Sequence, residues 1–380
     1  MQKNLELIPR NLKNPYYIVS PPYTRQSAGV RCLFLLARAL KLKGFPAFMV
    51  SSKTDPLLEV DLLTREYVQS HYDHGLMPIV IYPEIAMGNP LNAEFVVRYL
   101  LNYIGALGGP AHYAESDYLI SYGKGMNQRN PDKERVLHLP CADTKIFYPP
   151  KEKRKRSGQY FYASKYKNFF HLETLPITDG MVEITRSESD SLNQVQLAEI
   201  FRSAEALYCY ENSSISLEAR LCGCPVIMIP NESFTTIIGE NELPRLGLAW
   251  GLDTKEVEYA KSTVDQFYSS YQGLEVTFWK QLDVIIEETQ SIAQNMFYTK
   301  MVTFESLPPS EVYLNNFGTY KVTTLLYKRI LRSIKCLIED KGFFAFLKTF
   351  SSLLIQVQWR KLKSYLNEGE KTYFTRYNKD

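Results

Sequence analysis

The sequence has few of the residues that build a metal site. Its six cysteines, at 32, 141, 209, 222, 224 and 336, include no CxxC pair, and none has a histidine at the spacing of a zinc ligand set. Cys222 and Cys224 stand two apart, which suits neither a disulfide nor a zinc knuckle, so buried free thiols in a reducing compartment are expected. No DxD ends a strand; Asp190, in SESDS, reads as loop. Long apolar runs are missing too. None approaches the ~20 residues that span a bilayer, and the opening MQKNLELIPRNLKNP lacks the apolar region of a secretion signal. The net charge of +3 is too small to imply nucleic acid, and the 27 tyrosines are spread along the chain rather than gathered into a stacking platform. The first strand is not followed by GxGxxG, which argues against a nicotinamide-dependent enzyme. These absences lead us to expect a cytoplasmic protein, or one lying on the cytoplasmic face of a membrane, with no metal, cofactor or nucleic acid.

What is present is enough apolar material for real cores. Of 380 residues, 45% are apolar and 22% charged, which fits two domains of ordinary size. PYYIVSPPY (15–23) reads as a strand and turn. The helix RCLFLLARALKLKGF comes next, with apolar positions 33, 36, 37 and 40 at helical spacing, and then the strand PAFMVS (46–51). MPIVIYPEI (77–85) is a fully apolar strand, as in a sheet covered on both faces. GNPLNAEFVVRYLLNYIG reads as a turn and a helix, and DYLISYG (117–123) and VLHLP (136–140) as strands.

FYPPKEKRKRSGQ (147–159) has the composition of a linker. The pattern then restarts with strands at 159–164 and 181–185, a helix at 194–204, a strand at 206–211, a helix to Cys222, a strand at 225–230 and an amphipathic helix at 278–294. The fold class expected is α/β, with Rossmann-like domains over 1–150 and 151–298 and a helical extension over 299–380. In that extension, residues 321–363 hold ten Lys/Arg and two Asp/Glu, interleaved with Phe343, Phe344, Phe346, Phe350 and Trp359. They read either as amphipathic helices packed with basic faces in water or as a segment that binds an anionic membrane surface.

Ligands of open parallel sheets sit beyond the carboxyl ends of the strands, so the residues just after each strand matter most. In YCYENSSISLEARLCGCPVIMIP (208–230), Ser213 or Ser214 can cap a helix whose first N–H groups face an anion. Glu218 lies one turn in, within reach of a ribose diol. Gly223 is expected to end the helix in the left-handed conformation. Lys165 and Lys167 come after one strand and Arg186 after another. Gly29, in QSAG, permits close backbone approach at the first helix start. Glu84 ends an apolar strand and is a candidate base or acceptor-binding group, or a structural one. His112, in the loop GGPAHY, is a candidate contact to acceptor or donor sugar.

The stretch 208–230 resembles the carboxyl-terminal-domain signature of GT-B glycosyltransferases, in particular retaining, family 4-like enzymes of bacterial surface polysaccharide synthesis. That pattern is a glutamate, seven residues, a second glutamate, then Ala and Gly-x-Pro. Glu218-Ala219 and Gly223-Cys224-Pro225 fit it. At the first glutamate this chain has Tyr210, with Glu211 one position late. The resemblance implies two doubly wound domains facing a cleft. It implies a nucleotide-sugar donor held by Gly29, Lys165, Arg186, Tyr210, Ser213, Ser214 and Glu218, with Glu84, His112 and Glu211 as catalytic candidates. It further implies transfer, without a metal, to a saccharide or lipid-linked saccharide acceptor. The alternatives are a nucleotide-sugar epimerase of the same fold and a non-catalytic subunit that binds the donor or a partner.

Overall fold

The computed structural model describes residues 12–127, 134–152, 155–186 and 191–303. The basic segment 321–363, Cys336, Asp190 and the expected helical extension lie outside the described residues.

The first half builds a six-stranded parallel sheet from β1 (Tyr16–Val19), β2 (Ala47–Val50), β3 (Asp61–Leu62), β4 (Ile79–Pro83), β5 (Phe95–Leu100) and β6 (Tyr118–Ser121). Their spatial order is β3-β2-β1-β4-β5-β6. Every residue of β1, β2, β4 and β5 is buried, as continuous apolar runs require when both sheet faces are covered. Helix α1 (Ala28–Leu42) covers one face. The Ser27 hydroxyl caps it by accepting from the Val30 N–H, and the left-handed Gly44 follows its end. Helix α2 (Arg65–Asp73) lies after β3.

Two expected elements are corrected. FVVRYL is strand β5, not helix. A continuous apolar run carries no period that separates buried strand from buried helix, and Val96, Val97 and the flanking aromatics favour the strand. The β4–β5 connection has no helix. Asn89 organises it by accepting from the Tyr82 hydroxyl (2.9 Å) and the Ala93 N–H (3.0 Å) and donating to the Ala93 carbonyl (2.8 Å). Residues 136–140 form no strand, only an isolated bridge between Ser121 and Val136. Their hydrogen bonds go partly elsewhere: the His138 N–H donates to Gln281 Oε1 at 2.9 Å, and the His138 ring bonds the Tyr122 carbonyl at 3.0 Å.

The second half is again parallel: β7 (Gln159–Tyr162), β8 (Val182–Glu183), β9 (Ala206–Cys209), β10 (Val226–Met228) and β11 (Leu248–Trp250), in the order β11-β10-β9-β7-β8. Its helices are α3 (Ser164–Asn168), α4 (Gln194–Ser203), α5 (Ser214–Leu221), α6 (Thr254–Thr263) and α7 (Phe267–Gln272). Asn193 and Gln196 close a capping box on α4. Gly223 follows α5 at φ +72, a left-handed conformation that favours glycine, and a Cβ there would displace the end of the Arg156 side chain. The two parallel α/β sheets match the fold class expected from sequence.

Helix α8 (Leu274–Gln294) returns the chain to its beginning. Whereas Phe267 and Tyr271 of α7 belong to the second core, Phe278, Leu282, Ile285, Ile286 and Ala293 of α8 complete the first. Polar contacts fix the register. The Tyr16 hydroxyl meets Thr289 Oγ1 at 2.8 Å, and Gln290 exchanges two hydrogen bonds with the Asn14 backbone. Each of these large apolar side chains contributes about 1.5–3 kcal/mol by leaving water. Leu282→Ala, at a position with no exposure, should lower the unfolding free energy by about 3 kcal/mol in urea titration. Val284→Ala, on the outer face of the same helix, should change it by less than about 0.5 kcal/mol.

Candidate functional site

The strand order of the first sheet reverses between β1 and β4, and that of the second between β7 and β9. At such points the connections leave the carboxyl ends of neighbouring strands in opposite directions and open a crevice. Arg31, in α1, comes after β1, and Glu84 after β4. Ser164 and Lys165 come after β7, and Glu211, Asn212 and Ser213 leave β9 and lead into α5. Arg186 lies just beyond β8. The candidate residues therefore gather at two switch points, and side chains join them.

Glu218 is the centre of that junction. It lies on the buried face of α5 with 0% exposure. Arg31 Nη2, from the first half, donates to its Oε1 at 3.0 Å. Arg186 Nη2 donates to its Oε2 at 3.0 Å and reaches Oε1 at 3.4 Å. The Ser214 hydroxyl adds a hydrogen bond to Oε1 at 3.2 Å and itself accepts from Arg186 Nη1 at 3.3 Å. Both arginines are buried as well, at 5% and 6% exposure. Arg31 Nη1 also donates to the Arg25 carbonyl, while its Nε has no hydrogen-bond partner. In this state the Glu218 carboxylate is fully engaged, so it presents no free oxygen to a ribose.

A second group lies beside it. Lys165 Nζ donates to the Asn212 carbonyl at 2.5 Å and stands 3.8 Å from Glu211 Oε1. Glu211 Oε2 accepts from the Tyr166 N–H at 2.8 Å, and its Oε1 is buried without a hydrogen-bond partner. Burial raises the Glu211 carboxyl against the pull of Lys165, and loss of water lowers the Lys165 ammonium. About a third of the lysine side chain remains exposed (35%), so that loss is partial. From the first half, Glu84 Oε2 accepts from the Leu101 N–H at 3.1 Å. Burial pushes its carboxyl up to about 7, and the hydrogen bonds and the nearby Lys165 only partly oppose this. A carboxylate poised near neutrality suits proton acceptance.

The other sequence candidates divide. Ser213 is the N-cap residue of α5, but its side chain makes no capping bond; its carbonyl accepts from the Ser216 hydroxyl at 2.8 Å. Tyr210 turns away from the junction and is fully buried. Its ring packs on Phe161 and Tyr166, and its hydroxyl bonds Thr178 at 2.9 Å and the Leu175 N–H at 3.0 Å. Both residues lie in the bend just after β9, where Glu211 rather than Tyr210 comes beside Lys165. His112 lines a separate cavity of about 260 Å³ with Asn89, Arg98, Tyr113 and Asp117. Lys167 pairs with Glu183 at 2.6 Å on the surface. A Cβ on Gly29 would meet only Leu101 Cδ1 within 4 Å, at an ordinary 3.6 Å, so no protein neighbour demands glycine there. Arg31 was not among the residues expected from sequence. Its signal is a charged side chain at the start of the apolar run CLFLLARAL, one turn after the first strand's loop.

No protein-family model matches the chain, and neither does any curated protein. Among solved structures it is similar to the glycosyltransferase SnogD from Streptomyces nogalater, with 11% identity over 74% of this chain and 99% of that one and a TM-score of 0.41. It is also similar to WaaG, a glycosyltransferase involved in lipopolysaccharide biosynthesis (11% identity, 74% and 100% coverage, TM-score 0.35). A third similar structure is the spinosyn rhamnosyltransferase SpnG complexed with thymidine diphosphate (13% identity, 73% and 96% coverage, TM-score 0.32). Scores of this size describe a loose likeness, so function has to be argued from the side chains.

The raised Glu84 carboxyl has a thermodynamic consequence. A buried acid whose folded pKa exceeds its unfolded value binds more protons folded than unfolded, so its contribution to stability falls as pH rises from the usual 4.5 towards 7. Glu84→Gln removes the ionisation. The melting temperature of this variant relative to the parent should therefore increase between pH 5 and pH 8 in differential scanning calorimetry. A difference that stays flat or shrinks would place Glu84 in a better hydrated setting than the structure gives it.

Proposed function

We propose that this chain is a glycosyltransferase that takes a sugar from a nucleoside diphosphate sugar. The observation carrying the reading is the gathering of Arg186, Lys165 and the uncapped start of α5 at one switch point, opposite Glu84 at the other. A diphosphate needs fixed cations and helix N–H groups as its leaving charge develops, and here protein groups supply them. The carboxylate of Glu218 would hold the ribose once released from its arginines.

In the transfer, the bond between the anomeric carbon and the diphosphate oxygen breaks and a bond to the acceptor hydroxyl oxygen forms. The hydroxyl proton must leave. Glu84 would take it, a role supported by burial that pushes its carboxyl up to about 7. The electron pair of the broken bond leaves with the nucleoside diphosphate, whose charge Arg186 and Lys165 meet. Closing the cleft keeps water from competing with the acceptor. A saccharide carried on a membrane lipid, as in bacterial surface polysaccharide synthesis, is the acceptor class favoured by the basic, aromatic sequence of 321–363.

A thermal-shift screen over UDP-, GDP-, dTDP- and CMP-sugars should identify one stabilising donor, and that donor should release its nucleotide when a matching lipid-linked saccharide is added. Arg186→Met should lower kcat by about 100-fold or more in a nucleotide-release assay. Conversion of the donor with no acceptor present would show an epimerase instead. Unchanged kcat in Arg186→Met would remove that residue from the site.

A further inference from the structure

We propose that Arg31 is the first domain's contribution to the diphosphate site, and that Glu218 competes with the diphosphate for that position. The inference rests on reading the cleft as a nucleoside diphosphate sugar site, and it adds a residue on the opposite sheet to the phosphate contacts.

Charge is the first argument. Two guanidinium groups, both almost fully buried, share one carboxylate. Two cations thus face one carboxylate where hydration is poor, with the lowered Cys141 thiol beside Arg31 as the other balancing group, and a buried charge is costly unless it is matched. Geometry is the second. Arg31 Nε is buried without an oxygen acceptor, and the guanidinium's remaining partner is the Cys141 sulfur, so that edge is only weakly satisfied. The Cys32 and Cys141 thiols lie close to this guanidinium, and a thiol is a weak acceptor. A phosphate oxygen would satisfy both the charge and the donor, because the planar guanidinium matches phosphate with paired N–H groups. Position is the third. Arg31 meets Glu218 Oε1, the oxygen also touched by Ser214 in the first turn of α5, so a group replacing that carboxylate would sit at the helix start.

The carboxylate and an entering diphosphate therefore compete for the same two arginines. When the diphosphate binds, Arg31 and Arg186 turn to phosphate oxygens and Glu218 is released to accept from a diol. The ion pair that joins the two sheets then gives way to a phosphate bridge.

Isothermal titration with inorganic pyrophosphate, which carries no sugar or base, tests this directly, and the nucleoside diphosphate of the stabilising donor provides the parallel arm. Arg31→Met should weaken pyrophosphate binding by roughly tenfold to a hundredfold, the range for a lost charged hydrogen bond, and Arg31→Lys by less. Glu218→Gln should bind pyrophosphate more tightly than the parent, because the competing anion is gone. That gain runs opposite to any loss through misfolding, so it stands even where Arg31→Met folds poorly. Equal or weaker pyrophosphate binding by Glu218→Gln overturns the competition. Parent-like binding by a folded Arg31→Met, alongside weak binding by Arg186→Met, overturns the Arg31 assignment and leaves the glycosyltransferase reading standing. If the parent binds neither pyrophosphate nor any nucleoside diphosphate, both fall.

Discussion

A carboxylate without water must find its counter-charge in the protein, and Glu218 finds it in two places at once. Arg186 comes from its own half of the chain and Arg31 from the other. Removing one partner of such a buried pair costs about 3–5 kcal/mol, because a charge is left without solvent or counter-ion. The junction of the two halves is therefore an electrostatic seam, to which α5, the start of α1 and Arg186 beyond β8 all contribute.

The seam works only because other contacts bring the halves together first. Helix α8 completes the first core after the chain has finished the second, and its polar face is tied to the β1 strand through Thr289 and Gln290. That closure is mainly apolar and lacks direction, whereas the ion pairs supply direction and little net stability.

Chemistry at the two switch points differs in kind. On the second sheet, cations and a helix start surround Glu211 and Glu218, an environment built for negative charge. On the first, Glu84 is buried with backbone donors from Leu101 and from its own residue, and burial brings it towards neutrality. The two sides are not isolated, because Lys165 lies near enough to Glu84 to oppose part of the rise that burial causes.

Much of this could be read along the chain. The apolar runs of β1, β4 and β9 report sheets covered on both faces, and Gly223 reports the end of α5, because burial and backbone conformation act locally on residue type. FVVRYL misled, since a strand buried on both sides and a buried helix have the same apolar sequence and differ only in what packs around them. Tyr210 and Glu211 show the limit more sharply. The path of the bend after β9 decides which of two neighbours meets Lys165, and spacing in a motif does not fix that path. The sequence by itself determined the parallel α/β class, the turn-and-helix unit around Glu218 and the cations placed after the strands, since each rests on neighbours within a few residues. Only the tertiary structure decided that Arg31, distant in sequence, closes on Glu218, and that Glu84 is buried enough to resist ionisation. Desolvation and ion pairing depend on what the folded chain brings alongside, and no local pattern encodes that.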